Sequence, residues 1–419
     1  MIEVYKFGGA SVKDADGVKN LAKIVGEHRS GLVIVISAMG KITNALEDLW
    51  KAYISNEFGK AQQLLSEVHA YHDAIASELF GDPEHPVFDQ INNAFVEIEW
   101  IIEEEPQDDE DYLYDQIVSI GEIVSTTIVS AYLNEIGVQN LWTDARGVIQ
   151  TDNNYREGKI DWTRTKAAIE PLKQKLETTI IVTQGFLGGT SENFTTTLGR
   201  EGSDYSAAIL ASCLGASQVT IWKDVPGVLN ADPKFFEDTR KYEELSYQEA
   251  IEMTYYGACV IHPKTIKPLR DTGIPLLVKP FMAPAESGTT IGNTTAEIPS
   301  EPAIIIKKNQ TLVSIASNDY SFITEDHLSE IFSAFAVLHI KINMMQVSAL
   351  SFSACFDHDV RKFEKLLLRL NTSFRTRYNR DLELITIRHY KRPMLAELSA
   401  GKTILLEQFS RNTAQMVIR

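Results

Sequence analysis

Leu32–Ser37, L-V-I-V-I-S, is the segment of this 419-residue chain that most clearly indicates its fold. A continuous run of β-branched and aliphatic residues is typical of a strand buried on both faces of a parallel sheet. Helical periodicity separates such strands, for example at 17–28 and over most of 44–135. This alternation predicts a three-layer, doubly wound α/β domain with a mainly parallel sheet and ligands at the carboxyl ends of its strands. Further strand runs lie at 2–7, Ile180–Thr183 and Val219–Trp222.

A second region follows a polar, proline-bearing stretch, Gly292–Pro302, which we interpret as a linker. The expected domains are therefore 1–292 and 303–419. The second has a βαββαβ-like pattern, which predicts two small α+β ferredoxin-like modules. The second module is either incomplete or built from Ala303–Lys307 together with the C-terminal tail.

Composition limits the possible partners. The net charge of −17 argues against nucleic acid or an anionic membrane as the main partner, since both need a positive surface. No apolar run is expected to be long enough to span a bilayer, and Met1 leads directly into a strand pattern. The cysteines (Cys213, Cys259 and Cys355) are scattered, so we expect reduced thiols in a cytoplasmic protein.

The segment Phe194–Ser206, F-T-T-T-L-G-R-E-G-S-D-Y-S, has the composition of an anion site. Its glycines allow close backbone approach, and the helix that follows presents free N–H groups at its start. Arg200 adds a planar fork suited to a carboxylate or a phosphate. The alternative is a simple helix cap, provided by Ser203 or Asp204 without any ligand.

Four other groups follow predicted strands or lie in a helix. Each group has two interpretations: its residues contact a ligand, or they form an ordinary turn, strand end or helix surface. The consensus G-x-x-x-x-G-K-[ST] is absent from the sequence, so a P-loop enzyme of the usual kind is not expected. The groups are Lys6-Phe7-Gly8-Gly9-Ala10-Ser11; Ser37–Lys41 with Thr43-Asn44; Ser119-Ile120-Gly121-Glu122; and Trp222–Val228 with Asp232-Pro233-Lys234.

Together these groups resemble, in order and spacing, the aspartate kinases of the amino-acid kinase family. The resemblance covers nearly the whole first region, and the C-terminal modules resemble the ACT regulatory domains of those enzymes. The stretches that carry it are K-F-G-G-A-S-V, V-I-S-A-M-G-K-I-T-N, S-I-G-E, Q-G-F-L-G, T-T-L-G-R-E-G-S-D-Y-S, D-V-P-G-V and H-P-K-T-I.

The resemblance implies transfer of the γ-phosphoryl group of ATP to the β-carboxylate of L-aspartate. The product would be 4-phospho-L-aspartate, at the first step towards lysine, threonine and methionine. Because the carboxylate is already a nucleophile, the reaction needs positioning and charge neutralisation rather than a general base. Mg²⁺ would reach the protein through phosphates and water rather than through a set of protein ligands. A homodimer that pairs through the ACT region is also implied.

The resemblance further implies roles for individual residues. Lys6 and Asp204 would be catalytic, with Lys6 stabilising the transferring phosphoryl group. Arg200 would bind the α-carboxylate of aspartate and Glu122 its ammonium group. The full aspartate-binding set would be Ser37, Thr43, Glu122, Arg200 and Ser203. The nucleotide-binding set would be Lys6, Gly8, Gly9, Lys223, Asp224, Lys234 and Lys264.

The chain departs from the family pattern at several positions. Ala10 lacks a usual hydroxyl, Glu201 places an acid beside Arg200, Lys223 replaces a usual threonine, and Leu229 replaces a common aromatic residue. In the regulatory region, neutral Asn343 and Ala349 stand where lysine-sensitive relatives carry acids. Since burying a lysine ammonium without a counter-charge is costly, we expect weak or absent inhibition by lysine. The modules would then serve mainly for dimerisation, an alternative to effector binding.

Two other functions compete with this interpretation. Glutamate 5-kinase and acetylglutamate kinase share the fold and would act on related carboxylates. A catalytically silent amino-acid sensor is the non-enzymatic alternative. The presence together of Lys6, Glu122, Arg200 and Asp204 favours an active aspartate kinase.

Overall fold

The computed structural model describes residues 1–258, 261–294, 299 and 301–419. These form two compact units. The first comprises Met1–Val228, Glu243–Ile251 and Val260–Glu297, and the second comprises Leu229–Tyr242, Glu252–Cys259 and Ile298–Arg419. Of the predicted linker, 295–298 and 300 lie outside the described residues, as does Cys259. Cys213 and Cys355 are buried free thiols.

The units differ from the predicted domains 1–292 and 303–419 in two segments, Leu229–Tyr242 and Glu252–Cys259, which belong to the second unit. Direct contacts explain this assignment. The N–H of Ile304 donates to the carbonyl oxygen of Asn230 at 2.7 Å. Glu252 forms an ion pair with the buried Arg388 at 3.4 Å.

The first unit is built on an eight-stranded sheet in the order β3-β4-β2-β1-β7-β9-β10-β8. All neighbouring pairs in it are parallel except β9 with β10. Strand β2 is buried along its whole length, as its sequence predicts. The strands are β1 Glu3–Phe7, β2 Leu32–Ile36, β3 Asn140–Thr143, β4 Ile180–Gln184, β7 Gln218–Lys223, β8 Glu244–Ser246, β9 Leu276–Pro280 and β10 Thr289–Gly292; a separate hairpin pairs β5 Leu187–Gly189 with β6 Thr195–Thr197.

Helices cover this sheet, and amphipathic spacing determines which face they bury. In the helix Ala15–Val25, for example, Val18, Leu21 and Val25 are fully buried. The helix Tyr247–Tyr256 spans the division between the two units. The helices are α1 Ala15–Val25, α2 Ile42–Ile54, α3 Phe58–Phe80, α4 Val87–Glu103, α5 Glu110–Val118, α6 Ile120–Glu135, α7 Ala145–Val148, α8 Trp162–Ile169, α9 Leu172–Leu176, α10 Gly202–Leu214, α11 Tyr247–Tyr256 and α12 Pro263–Thr272.

The stretch Glu110–Glu135, which contains α5 and α6, is long and apolar enough to cross a membrane by length and composition, with a mean hydropathy of 1.3 over its 18-residue window. The expectation that no run reaches this length is therefore wrong. However, 72% of that window is buried inside the protein, as in the core helix of a soluble domain. Burial accounts for the apolar composition of this stretch.

The second unit contains a six-stranded sheet in the order β12-β13-β11-β14-β16-β15. Two long strands cross both predicted modules. The 310–317 half of β11 pairs with β13, whereas its 303–307 half pairs with the distal half of β14, which in turn pairs with β16. The second module is thus built from Ala303–Lys307 and the tail, one of the two predicted options. The strands are β11 Ala303–Ser317, β12 Ile342–Val347, β13 Phe352–Asp357, β14 Phe374–Arg388, β15 Ile404–Phe409 and β16 Thr413–Ile418, and the helices are α13 Glu325–Val337, α14 Val360–Leu370 and α15 Arg392–Leu398.

Candidate active site

Strand register brings the predicted motifs of the first unit to one edge of its sheet. Phe7 of β1 lies opposite Ile36 of β2 and Trp222 of β7, and Ile36 lies opposite Gln184 of β4. These strands are parallel, so the residues that follow them emerge side by side. Those residues are Gly8, Ser37, Gly185 and Lys223.

The loops after β1 and β2 are joined through their backbones. The N–H of Ser37 donates to the carbonyl oxygen of Phe7 at 3.1 Å, and the N–H of Gly40 donates to that of Gly9 at 3.0 Å. A Cβ on Gly9 would lie 2.7 Å from the carbonyl oxygens of both Ala38 and Gly40. Glycine is therefore required at this position, and it leaves bare backbone beside Lys6.

Lys6 and Asp204, which are buried, form a charge cluster at this edge with Lys223, which is partly exposed. The ammonium of Lys6 lies 2.6 Å from Oδ1 of Asp204, and that of Lys223 lies 3.6 Å from Oδ2. Asp204 is 1% exposed. Burial alone would raise the pKa of its carboxyl group, but the two ammonium groups more than offset this and hold the pKa below its usual value. Asp204 thus stays charged and fixes both lysines.

Glu122 lies in the first turn of α6 and is 2% exposed. Burial raises the pKa of its carboxyl group to about 8, against the opposing effects of backbone hydrogen bonds and of Lys6. Its Oε2 atom makes no hydrogen bond among the described residues. The preceding Gly121 allows this turn to approach the β2 loop, since a Cβ there would lie 3.0 Å from the Cβ of Ala38. A buried carboxylate with an unused oxygen suits a cationic ligand group.

The Phe194–Ser206 segment forms strand β6, then a turn at residues 198–201, which we call the Arg200 turn, and then the start of α10. The capping alternative is wrong: the N-cap is Glu201, in the left-handed conformation at φ 58° and without a side-chain cap hydrogen bond. Ser203 and Asp204 lie in the first turn instead. Ser203 packs against Gly185 at the end of β4, where a Cβ would lie 2.7 Å from the Ser203 Oγ. Arg200 and Glu201 are exposed, and neither forms an ion pair within the described ranges.

The remaining predicted residues divide between the two units. The ammonium of Lys264 donates to the carbonyl oxygen of Leu198 at 2.8 Å, which places it against the Arg200 turn, and burial lowers its pKa. Thr43 lies in the first turn of α2, and Asp224 is exposed just after β7. Lys234 belongs to the second unit.

Sequence reasoning missed Asp115, a fully buried acid on α5. It accepts hydrogen bonds from the hydroxyl and the N–H of Thr197 at 2.6 and 2.9 Å, and from the N–H of Arg156 at 2.9 Å. Burial raises the pKa of its carboxyl group to about 6, despite these hydrogen bonds. The signal in the sequence is an acid two helical turns before Glu122 in an otherwise apolar stretch.

The chain belongs to the amino acid kinase family, whose sequence model matches residues 1–280. Within that family it belongs to the aspartokinases. It is 32% identical to the lysine-sensitive aspartokinase 3 of Escherichia coli strain K12, over 92% of this chain and 86% of that protein.

Solved structures agree with this assignment. E. coli aspartokinase III in complex with aspartate and ADP, in its R-state, superposes with a TM-score of 0.85 at 29% identity, covering 100% of this chain and 96% of that one. The same enzyme in complex with lysine and aspartate, in its T-state, gives 0.82 at 30% identity, with 99% and 95% covered. As an aspartokinase, the chain is an ATP-dependent phosphotransferase that phosphorylates aspartate.

Proposed function

We propose that aspartate and ATP meet at the carboxyl edge of the first sheet, where the β-carboxylate of aspartate attacks the γ-phosphorus. The observation that carries this proposal is the Lys6–Asp204 pair beside the bare backbone of Gly8 and Gly9. A cation fixed next to unobstructed N–H groups is what a transferring phosphoryl group needs. The E. coli relative's complex with aspartate and ADP supports the pairing of these two substrates.

Aspartate would lie between Glu122 and the Arg200 turn. The unused Oε2 of Glu122 would accept a hydrogen bond from the substrate ammonium, and Arg200 would bind the α-carboxylate bidentately. Ser37, Thr43 and Ser203 would supply hydroxyl contacts around it. Binding both ends of the amino acid directs its β-carboxylate towards Lys6, so orientation accounts for a large part of the catalysis.

ATP would place its phosphates over the β1 and β2 loops. Lys223, Asp224 and Lys264 would contact the nucleotide, while Lys6 neutralises charge on the transferring group. Among the described residues there is no group of three His, Cys, Asp or Glu side chains that could hold a metal ion. Mg²⁺ would be bound through phosphate oxygens and water, where it would neutralise phosphate charge. The protein would operate in the cytoplasm, at the first step towards lysine, threonine and methionine.

The second unit would mediate dimerisation. Its sheet ends in edge strand β12, which carries the half-exposed side chains Met345 and Val347. Lysine inhibition would be weak, although the E. coli relative is lysine-sensitive. Asn343 is neutral and already hydrogen-bonded: its Oδ1 accepts from the Lys307 ammonium at 2.9 Å, and its amide donates to Gln310 at 2.9 Å.

A hydroxamate assay tests the proposed reaction. Purified protein is given ATP and Mg²⁺ with aspartate, glutamate or N-acetylglutamate, and acyl-phosphate is trapped by hydroxylamine. Product is expected with aspartate and not with the other two acids. Preference for glutamate or N-acetylglutamate would favour the neighbouring kinases, and a folded protein that is inactive with all three would favour a sensor.

A further inference from the structure

Asp115 connects three parts of the first unit that are distant in sequence. It lies on α5, Thr197 ends strand β6, and Arg156 lies in the loop between α7 and α8. Oδ1 accepts the Thr197 hydroxyl, while Oδ2 accepts the N–H groups of both Thr197 and Arg156. A fully buried carboxylate that satisfies three donors holds them in one arrangement, because each donor would lose its partner if the others moved.

Those three contacts lie directly beneath the Arg200 turn. Thr197 is followed by Leu198 and Gly199, and Gly199 has φ 70°. A Cβ on Gly199 would lie 3.1 Å from the carbonyl oxygen of Arg156, so the Arg156 loop lies against the turn. The same loop binds β6 again through the N–H of Gly158, which donates to the carbonyl oxygen of Thr197 at 2.9 Å. The start of the turn is therefore fixed from two sides.

Arg200 itself is exposed and has no ion pair in the part of the chain that the structure describes. A long, exposed side chain has considerable rotamer freedom, and its affinity for a carboxylate depends on where its backbone holds it. The contacts described above supply that placement. Arg156 is held in turn, since its guanidinium lies 4.1 Å from the ring centroid of Tyr114 and 3.2 Å from Oδ1 of Asp111.

We propose that Asp115 is a positioning residue for aspartate, which acts by holding the Thr197 and Arg156 backbones so that the Arg200 turn presents its guanidinium to the substrate α-carboxylate. This inference rests on the proposed role of Arg200. It predicts that loss of the Asp115 acceptor weakens the use of aspartate while leaving the use of ATP largely intact, because the nucleotide loops after β1 and β2 make no hydrogen bond to Asp115 in the described structure.

The test compares five variants by initial rates, with KM measured separately for aspartate and for ATP. Asp115→Leu keeps the approximate size but removes the acceptor, and should raise KM for aspartate about tenfold or more with less than about a threefold change in KM for ATP. Asp115→Asn should retain KM for aspartate, because its oxygen can accept both N–H groups and its amide can donate to the Thr197 hydroxyl. Glu110→Leu, at an exposed acid on the same helix, is the matched control and should change neither constant.

Thr197→Val keeps the shape and the backbone contact and removes one hydrogen bond, so it decides the question if Asp115→Leu does not fold. It should raise KM for aspartate about threefold. An unchanged KM for aspartate, an equal rise in KM for ATP, or the same effect in Glu110→Leu would overturn the positioning role. Arg200→Ala is measured in parallel. If it leaves KM for aspartate unchanged, both the proposed aspartate site and this inference are wrong; if it raises KM while Asp115→Leu and Thr197→Val do not, the inference alone is wrong.

Discussion

The ammonium group of Lys6 lies 2.6 Å from Oδ1 of Asp204, although 198 positions separate the two residues in the sequence (204 − 6). Lys6 lies near the carboxyl end of the central strand β1, and Asp204 contacts it from the first turn of α10. This ion pair holds the Lys6 ammonium at the end of β1, next to Gly8 and Gly9. Each charge stabilises the other in a region that excludes most water.

Replacing Lys6 by Met should abolish most activity. The apolar stem is retained, but the cation that would neutralise the transferring phosphoryl group is lost. We expect kcat to fall by about 10²–10³-fold, the usual effect of removing one electrostatic contact to a transition state. ATP-dependent hydroxamate formation measures it. Lys13→Met is the control, because Lys13 is 63% exposed, and a comparable loss in that variant would argue against a specific role for Lys6.

Replacing Lys223 by Met should weaken the use of ATP. Its ammonium shares Asp204 with Lys6, so the variant removes one of the two ammonium groups that face this carboxylate. Loss of one charge-assisted contact should reduce kcat/KM for ATP about tenfold. Lys279→Met is the matched control on the neighbouring strand β9, since its ammonium lies over the Trp222 ring at 5.2 Å from the centroid. Equal losses in both variants would contradict a specific role for Lys223.

Aspartate binding should depend on pH through Glu122. In the substrate-free protein burial raises the pKa of this carboxyl to about 8, so the group is largely neutral below that pH. A substrate ammonium requires the carboxylate, hence KM for aspartate should fall as the pH rises from 6 towards 8. Glu122→Gln should have a raised KM that no longer varies over this range. A wild-type KM that is flat from pH 6 to 8 would exclude this role.

The same group should affect stability with a defined sign. Its carboxyl has an ordinary pKa of 4.5 and a folded-state pKa of about 8, so between these values the folded state holds the extra proton. The free energy of unfolding therefore falls as the pH rises through this window. Thermal unfolding without substrate should show Glu122→Gln gaining on wild type as the pH increases from 5 to 8. A difference independent of pH would contradict the assignment.

Gly9→Ala should disrupt the nucleotide loops. The new Cβ would lie 2.7 Å from two carbonyl oxygens, so backbone has to move. We expect a loss of about 1–3 kcal/mol in the free energy of unfolding, together with a raised KM for ATP. Gly59→Ala in α3 is the control, since nothing lies within 4 Å of its added Cβ, and alanine should stabilise that helix slightly.

Millimolar lysine should leave activity nearly unchanged. Asn343 brings no charge to neutralise a second ammonium, and its amide oxygen already accepts from Lys307. A lysine titration at subsaturating aspartate measures this, with threonine and methionine run in parallel. Clear inhibition by millimolar lysine would show that the charge argument is wrong.

The sequence was most informative where one physical factor dominates. Leu32–Ile36 is apolar throughout and forms a strand buried on both faces. In the helix Val360–Leu370, likewise, Phe363, Leu366 and Leu370 recur at helical spacing and are buried. Short elements with mixed composition were missed. Asn140–Thr143 becomes a strand through pairing with β4, and the polar half of β14, from Phe374 onwards, through pairing with β11.

For the site, glycines and charges placed most predicted residues at one sheet edge. The sequence did not reveal Asp115, since its role depends on Thr197 and Arg156, 82 and 41 positions away. Nor did the sequence indicate that Lys234 belongs to the second unit, because contacts such as that of Asn230 with Ile304 join residues far apart in the chain. Local pattern predicts which backbone approaches a ligand, whereas partners distant in sequence decide what holds that backbone.

Strand β11 has a consequence for how the C-terminal half can be divided. Its 15 residues supply one strand to each module, and β14 does the same in the opposite direction. Separating the two modules would therefore interrupt two continuous strands and leave unpaired backbone N–H and C=O groups on both pieces. A deletion that removes the tail after Arg388 would strip β16 from β14 and open the remaining sheet. The two modules are therefore not interchangeable parts, and the unit that they form also includes Leu229–Tyr242 and Glu252–Cys259 from before the linker.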